Sequence, residues 1–335
     1  MKRIALMPLA ALLMGAGEPA APAKPALSPS EIVAQAPATD WAAIAPADLM
    51  VMDLAPLGAK PRRVVIQLMP APFSRGWVLN IRRLVAARWY DGVSVNRVQD
   101  NYVVQWGDVT EKKPLPSDLV VVSGSGYEAR FTDIGNSASP MSFDPPFRWG
   151  ASVYDPYINS HRIEGPPQLG WPGFSIGWPV VAAPTFPSRY TVIREVAGTM
   201  WPVHCYGMVG VARNMPPDAG TGAELYTVIG HAPRQLDRNI ALVGRVIEGM
   251  EHLSSLPRGT GALGFYEKAE ERVPILSVRM GNEVAGLPAY QYLSTDSASF
   301  AAYADARANR RDAFYIRPAG GADICNIPVP VRRVP

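Results

Sequence analysis

The sequence predicts a mainly β fold: a closed antiparallel β-barrel capped by two helices, with a long irregular insertion and a C-terminal extension. Three observations support this prediction. Short strand-like segments recur on both sides of a stretch rich in Pro and Gly, 109–202. Helical spacing of apolar residues is confined to a few short segments. The 34 prolines of the 335-residue chain argue against a mostly helical protein.

The elements of the barrel follow in order along 47–281, which we assign to the main domain. A strand with period-two alternation is predicted over 63–69. Apolar residues over 77–89 recur at helical spacing and predict the first helix. Further strands are predicted over 93–98, 102–106, 207–212, 224–229, 240–246 and 273–280, and a second, short helix over 249–256.

The first residues have the pattern of an export signal. Met1-Lys2-Arg3 is basic, and a short apolar run followed by small residues comes next. That run is too short for a stable membrane anchor. We therefore expect a signal peptide over 1–22, cleaved from a periplasmic or secreted protein, although a buried first helix is an alternative. The Ala- and Pro-rich segment 23–46 predicts a disordered tether.

Two segments fall outside the barrel pattern. Residues 109–202 alternate prolines, glycines and aromatics without a long helix, and we interpret them as an insertion with a few strands and turns over the barrel surface. Its aromatics either form a small core of their own or narrow access to the barrel. Residues 282–335 form the C-terminal extension. Within it, 297–310 predicts an amphipathic helix with Phe300 and Tyr303 facing inward.

Charge and metal-binding residue types exclude several classes of function. The net charge of +3 is small and its basic residues are scattered, so no nucleic-acid partner is expected. The four histidines show no metal-ligand spacing, and we predict neither a metal site nor a cofactor. The two cysteines, Cys205 and Cys325, either pair in an oxidising compartment or are separate buried thiols. His204 and Cys205 are adjacent, and neighbouring side chains of an extended segment point to opposite faces, which argues against a thiol–imidazole catalytic pair.

Two groups of short motifs resemble a known family. The first is YDGVSVNRV at 90–98 with YVVQWGD at 102–108. The second is GMVGVAR at 207–213, GAELY at 222–226, LD at 236–237 and VGRVIEGM at 243–250. In content and order these motifs resemble the signature of the cyclophilin-type peptidyl-prolyl cis-trans isomerases.

This resemblance implies a cyclophilin-like barrel that binds proline-containing polypeptides and isomerises X–Pro bonds of exported proteins, assisting their folding. It implies that Arg97 polarises the prolyl nitrogen and that Gln105 holds the substrate backbone. The alternative role for Arg97 is a surface salt bridge. The substrate-binding residues that the resemblance implies are Tyr102, Val103, Ala212, Arg213, Glu224, Tyr226, Gln235 and Leu236.

Several positions depart from the family pattern and affect the polar surroundings of the pocket. Asn96 stands where the family has histidine, Glu224 where it has glutamine, and Gln235 where it has tryptophan. The arginine and a ring-lined pocket are retained. The alternative function is therefore a non-catalytic cyclophilin-like peptide-binding chaperone or assembly module, whose insertion supplies the working surface. We expect a monomer in either case.

Overall fold

The computed structural model describes residues 26–134, 147–148, 153–154, 171–185 and 197–334, so the predicted signal peptide lies outside the described residues. The α-helices within these ranges are α1 (Pro29–Gln35), α2 (Arg75–Ala86), α3 (Glu251–Ser254) and α4 (Ala298–Ala308). None of them is long and apolar enough to cross a membrane.

The strands are short and alternate with turns and 3-10 helices. They are β1 (Trp41–Ile44), β2 (Leu49–Leu57), β3 (Lys60–Leu68), β4 (Ser94–Val98), β5 (Val103–Gly107), β6 (Ala129–Arg130), β7 (Phe147–Arg148), β8 (Val153–Tyr154), β9 (Trp171–Ser175), β10 (Trp178–Thr185), β11 (Ala197–Pro202), β12 (Met208–Val211), β13 (Leu225–Val228), β14 (Leu242–Glu248), β15 (Val273–Met280), β16 (Tyr290–Leu293), β17 (Ala322–Asp323) and β18 (Val331–Arg333).

Eight of these strands close into an antiparallel barrel, in the order β12-β13-β5-β4-β15-β2-β3-β14. This confirms the predicted mainly β fold with a closed antiparallel barrel. Seven of the eight strands coincide with predicted segments. The eighth, β2, was missed because its first four residues, 49–52, are all buried and therefore show no alternation of apolar and polar residues.

Helix α2 packs on the barrel through one face and supports the loop that precedes β13. Its buried residues include Trp77, Ile81 and Leu84, at helical spacing. The indole nitrogen of Trp77 donates to the backbone oxygens of Ala219 and Gly220, at 3.0 and 2.9 Å. The loop before β13 is thereby fixed to the helix, which keeps one side of the cavity described below in place.

Residues 26–46 are ordered, which corrects the disordered tether predicted over 23–46. The Ser28 hydroxyl accepts from the backbone N–H of Glu31 and caps α1. Strand β1 then pairs with β16, which in turn pairs with β18. The Ala- and Pro-rich composition hid this arrangement because β1 is stabilised by strands far along the chain rather than by its own sequence pattern.

The insertion is more regular than its sequence predicted. Its described residues form a five-stranded antiparallel sheet, β6-β11-β10-β9-β7. Phe174 and Trp178 are buried in the same apolar core as the barrel residues. Arg245 of β14 donates from Nη1 to the backbone oxygen of Gly177 at 2.9 Å and so ties the sheet to the barrel. The insertion's aromatics were expected either to form a core of their own or to narrow access to the barrel. Phe174 and Trp178 are core residues, but the core is shared with the barrel.

The C-terminal extension is joined to the rest of the molecule by packing and by a covalent bridge. The predicted helix is α4, and Phe300 and Tyr303 face inward as predicted. The Phe300 ring meets the Phe174 ring of the insertion with centroids 4.9 Å apart. Cys205 and Cys325 form a disulfide, with their Cα atoms 5.1 Å apart. The structure thus decides between the two alternatives left open for the cysteines.

Candidate functional site

A cavity of about 750 Å³ opens beside β4, β5 and β13. Nine of the ten residues predicted for the site line it. They are Arg97, Tyr102, Val103, Gln105, Ala212, Arg213, Glu224, Tyr226 and Leu236. Gln235 differs: its side chain is exposed and is not part of the cavity wall, although the adjacent Leu236 is. The structure therefore brings the predicted residues together, with Gln235 outside.

The Arg97 side chain is ordered by three acceptors. Arg97 and Gln105 are paired across β4 and β5, and Nη1 of Arg97 donates to Oε1 of Gln105 at 3.1 Å. Its Nε donates to the backbone oxygen of Leu263 at 2.8 Å, and Nη2 donates to the side-chain oxygen of Gln99. Burial lowers the pKa of Arg97, yet a guanidinium stays charged in proteins. All three partners are neutral, so a preorganised positive charge borders the cavity.

The loop after α3 completes the surroundings of Arg97. Phe265 in this loop forms a backbone bridge with Arg97, and the Tyr266 N–H donates to the Asn96 carbonyl at 2.9 Å. The Arg97 Cζ lies 5.3 Å from the Phe265 ring centroid and 5.6 Å from that of Tyr102. At these distances both rings attract the cation. Two aromatic rings thus contribute to the position of Arg97 in addition to its hydrogen bonds.

An apolar surface lies next to the arginine. Tyr226 of β13 is opposite Gln105 of β5 in the strand register, so its ring stands beside the hydrogen-bonded pair. The ring is 4% exposed and belongs to a small cluster separate from the main core. The other members of that cluster are Tyr102, Val103, Ala212, Val228, Leu236 and Ile240. A surface of this composition suits an apolar ring such as that of proline.

Glu224 introduces a carboxyl group into the cavity wall. Hydrogen bonds reach it from the side chains of Gln105 and Asn96 and from the backbone N–H of Asp108. Because Gln105 presents its oxygen to Arg97, its amide nitrogen is left to donate to Glu224. Desolvation by burial outweighs these hydrogen bonds and raises the pKa of Glu224 to about 7. The site therefore contains an acid that titrates near neutral pH.

The rim beside β5 is shaped by a turn around Asp108. The carboxylate accepts from the backbone N–H groups of Thr110, Lys112 and Lys113, at 3.1, 2.8 and 2.7 Å. Desolvation alone would raise the pKa of Asp108. The hydrogen bonds lower it by more, so the pKa lies below its ordinary value. The turn places residues 109, 111, 113 and 115 on the cavity wall, and no other described residue of the insertion lines it.

Three contacts of Arg97 were not predicted. Gln99 lies two residues after Arg97, just beyond the end of β4, a spacing that would have indicated proximity. Leu263 acts through its backbone oxygen, which no side-chain pattern reveals. Phe265 is in a loop whose sequence carries no motif. The fold alone brings Leu263 and Phe265 to the site.

Comparisons with known proteins agree with this architecture. The family model described as cyclophilin type peptidyl-prolyl cis-trans isomerase/CLD matches residues 63–280. The solved structure of the cyclophilin AquaCyp293 from Hirschia baltica superposes with a TM-score of 0.61 at 22% identity. That superposition covers 87% of this chain and 92% of the other.

A second solved structure is a cyclophilin-type isomerase from Cryptosporidium parvum, determined in the presence of the dipeptide Ala-Pro. Its sequence is 12% identical and its TM-score is 0.34. The alignment covers 65% of this chain and 92% of the Cryptosporidium parvum chain. A search among curated proteins finds no match. The family model covers well over half of the chain, and its range includes both strands that carry Arg97 and Gln105. The chain belongs to the cyclophilin-type peptidyl-prolyl cis-trans isomerase family.

Proposed function

We propose that this protein catalyses cis-trans isomerisation of X–Pro bonds in exported polypeptides and so assists their folding. The observation that carries the proposal is the position of Arg97, a charged and ordered guanidinium beside an apolar cluster that contains the Tyr226 ring. The basic and apolar start of the chain and the Cys205–Cys325 disulfide support an oxidising, extracytoplasmic location.

The reaction needs little more than this arrangement. Rotation about the prolyl amide faces a barrier of about 20 kcal/mol because the C–N bond has partial double-bond character. Cis and trans forms differ by only about 1 kcal/mol, so a catalyst has only to lower the barrier. A guanidinium N–H that donates to the prolyl nitrogen localises its lone pair and weakens the double-bond character. No covalent intermediate and no cofactor is required.

Arg97 retains donors for such a contact. A guanidinium has five N–H groups. The three hydrogen bonds of Arg97 described above use the Nε–H, one N–H of Nη1 and one N–H of Nη2. One N–H on each Nη is left for a ligand in the cavity. The apolar cluster beside it would hold the proline ring while the acyl side of the bond turns.

The test is an isomerisation assay on short X–Pro peptides with wild type and Arg97→Ala. Loss of one preorganised donor costs about a hundredfold in rate or more, so we expect at least that reduction in kcat/KM. Arg97→Lys keeps the charge but loses the fork of donors and should recover only part of the rate. Arg311→Ala, at an exposed arginine of the C-terminal extension, is the control. Undiminished turnover in Arg97→Ala would end the catalytic assignment.

The second candidate is a non-catalytic peptide-binding module. It is favoured by the polar changes at Asn96 and Glu224, which place an ionisable carboxyl next to Gln105. The same experiment distinguishes the two functions. A binding module would bind proline-containing peptides in a manner sensitive to Arg97→Ala and leave their isomerisation rate at the uncatalysed value.

A further inference from the structure

A buried chain of hydrogen bonds lies behind the apolar cluster of the cavity. His204 Nε2 is 2.8 Å from the Tyr226 hydroxyl oxygen, and His204 Nδ1 is 2.8 Å from Oδ1 of Asp237. The Nε of Arg234 donates to Oδ2 of Asp237 at 2.6 Å. His204 is 0% exposed, Asp237 and Arg234 are also buried, and none of the three lines the cavity. Tyr226 is the member of this hydrogen-bond chain that lines the cavity.

The direction of the hydrogen bonds follows from the chemistry of the partners. A carboxylate oxygen only accepts, so the imidazole donates from Nδ1 to Asp237. Arg234 donates to the other oxygen of the same carboxylate. Nε2 is then the ring nitrogen left to accept from the Tyr226 hydroxyl. The chain of hydrogen bonds therefore ends at Tyr226, whose O–H has His204 as its defined partner.

The strand opposite Tyr226 has room for that hydroxyl. Gly210 of β12 pairs with Tyr226 of β13. A Cβ at Gly210 would lie 2.3 Å from the hydroxyl oxygen, far inside van der Waals contact. A buried hydroxyl is unfavourable unless it is hydrogen-bonded, and here both the space and the acceptor are provided. The ring orientation is thus specified from two sides.

The backbone of His204 is anchored as well. Its N–H donates to Oδ1 of Asp237 at 2.9 Å, in addition to the bond from the imidazole. The next residue, Cys205, is joined to Cys325 by the disulfide. Asp237 follows Leu236, which lies on the cavity wall. One buried histidine therefore connects Tyr226 with the segment that carries Leu236.

We propose that His204 is a positioning residue: through the Tyr226 hydroxyl it fixes the ring that forms a wall of the peptide pocket. A fixed ring loses no mobility when a proline packs on it, so binding costs less entropy than with a ring free to turn. The catalytic consequence rests on the function proposed above. The fixation of the ring is independent of that function and is measured separately.

The first measurement follows ring flipping at residue 226 by NMR with ring-labelled tyrosine or phenylalanine. Wild type is compared with Tyr226→Phe, His204→Ala and the double variant. His231→Ala, at an exposed histidine, is the control. We expect slow flipping in wild type and in the control, and equally faster flipping in the other three variants. Unchanged flipping in His204→Ala would overturn the proposal.

The second measurement is kcat and KM for X–Pro isomerisation, with peptide affinity from NMR titration of a proline-containing tetrapeptide. Tyr226→Phe and His204→Ala each remove the hydrogen bond between the Tyr226 hydroxyl and His204. Each variant should therefore raise KM or Kd about tenfold and leave kcat nearly unchanged. The double variant should be no worse than either one. Losses that multiply in the double variant would show that the two side chains act independently and would overturn the proposal.

Two further arms keep the test decisive. If His204→Ala does not fold, Gly210→Ala replaces it, because the added methyl group displaces the hydroxyl; the same rise in KM or Kd is expected, and its absence would contradict the proposal. If wild type binds the peptide without isomerising it, the isomerase assignment fails while His204 is judged on Kd. If wild type does not bind the peptide at all, the pocket role of His204 is overturned with it.

Discussion

The carboxyl group of Glu224 occupies the space that a side chain at Gly107 would take. A Cβ on Gly107 would lie 1.8 Å from Oε1 of Glu224. The absence of a side chain at Gly107 therefore lets the carboxyl approach the β5 backbone and the amides of Gln105 and Asn96. This close approach also removes water from the carboxyl, which is the main cause of its raised pKa.

Glu224 makes stability depend on pH in a defined direction. Its pKa of about 7 in the folded protein is above the ordinary value of 4.5. The folded state thus binds the proton more tightly, and the contribution of Glu224 is present below about pH 4.5 and is lost as pH rises through 7. The loss is of the order of 3 kcal/mol, at about 1.4 kcal/mol per pKa unit.

We therefore expect the melting temperature to fall more between pH 5 and pH 8 in wild type than in Glu224→Gln, which cannot ionise. Thermal unfolding of both proteins across this range measures the two changes in melting temperature. Other titrating groups affect both proteins equally, so their effect cancels when the two changes are subtracted. Parallel profiles for the two proteins would contradict the assignment.

Gly107→Ala is expected to remove this pH dependence. The added methyl group pushes the Glu224 carboxyl away from the β5 backbone and toward solvent, where its pKa returns toward the ordinary value. The side chain of Glu224 is flexible at its end, so the variant should still fold. The measurement is again thermal unfolding at pH 5 and pH 8. A difference between Gly107→Ala and Gly107→Ala/Glu224→Gln as large as in the wild-type background would refute it.

The Cys205–Cys325 disulfide should contribute several kcal/mol to stability. It closes a sequence separation of 120 residues, for which the loop-entropy relation gives about 5 kcal/mol as an upper figure. Reduction should lower the melting temperature by several degrees. The Cys205→Ser/Cys325→Ser variant serves as the control, since its melting temperature should be low and insensitive to reductant. An unchanged melting temperature after verified reduction would contradict the expectation.

The insertion should be required for the stability of the barrel. Phe174 is 1% exposed and packs in the shared core, so Phe174→Ala should cost about 3–5 kcal/mol. Val121→Ala, at a fully exposed residue of the same insertion, is the matched control and should have no effect. Deletion of 115–194 should for the same reason leave no stable barrel. Denaturant unfolding measures all three, and a barrel of unchanged stability after deletion would refute the shared core.

The sequence predicted those parts of the fold that have a local pattern. β3 carries consecutive β-branched residues at 64–66, β4 lies within the motif at 90–98, and α2 carries a regular apolar face, so each was found near its observed bounds. β1 was not found, because its only distinguishing property is its pairing with β16. In the insertion a few strands were expected, but their positions and their single sheet were not, since the strands are interrupted by prolines such as Pro172 and Pro179.

At the candidate site, prediction succeeded where a motif carried the residue. Arg97, Gln105 and Tyr226 lie together as the motifs implied. The pattern could not show the effect of replacing a glutamine by Glu224, since the pKa depends on burial and on the space at Gly107. Nor could it show that His204, three residues before the motif at 207–213, reaches the Tyr226 hydroxyl.

The three-stranded sheet of β1, β16 and β18 has a consequence for the biosynthesis of the molecule. A ribosome releases Trp41 long before Leu293, its partner in the sheet. During that interval β1 is an unpaired strand, and unpaired strands associate readily with other chains. The domain reaches its protected form only when its last strands have been made. A chain truncated before β16 leaves this edge open permanently, which makes incomplete products prone to aggregation.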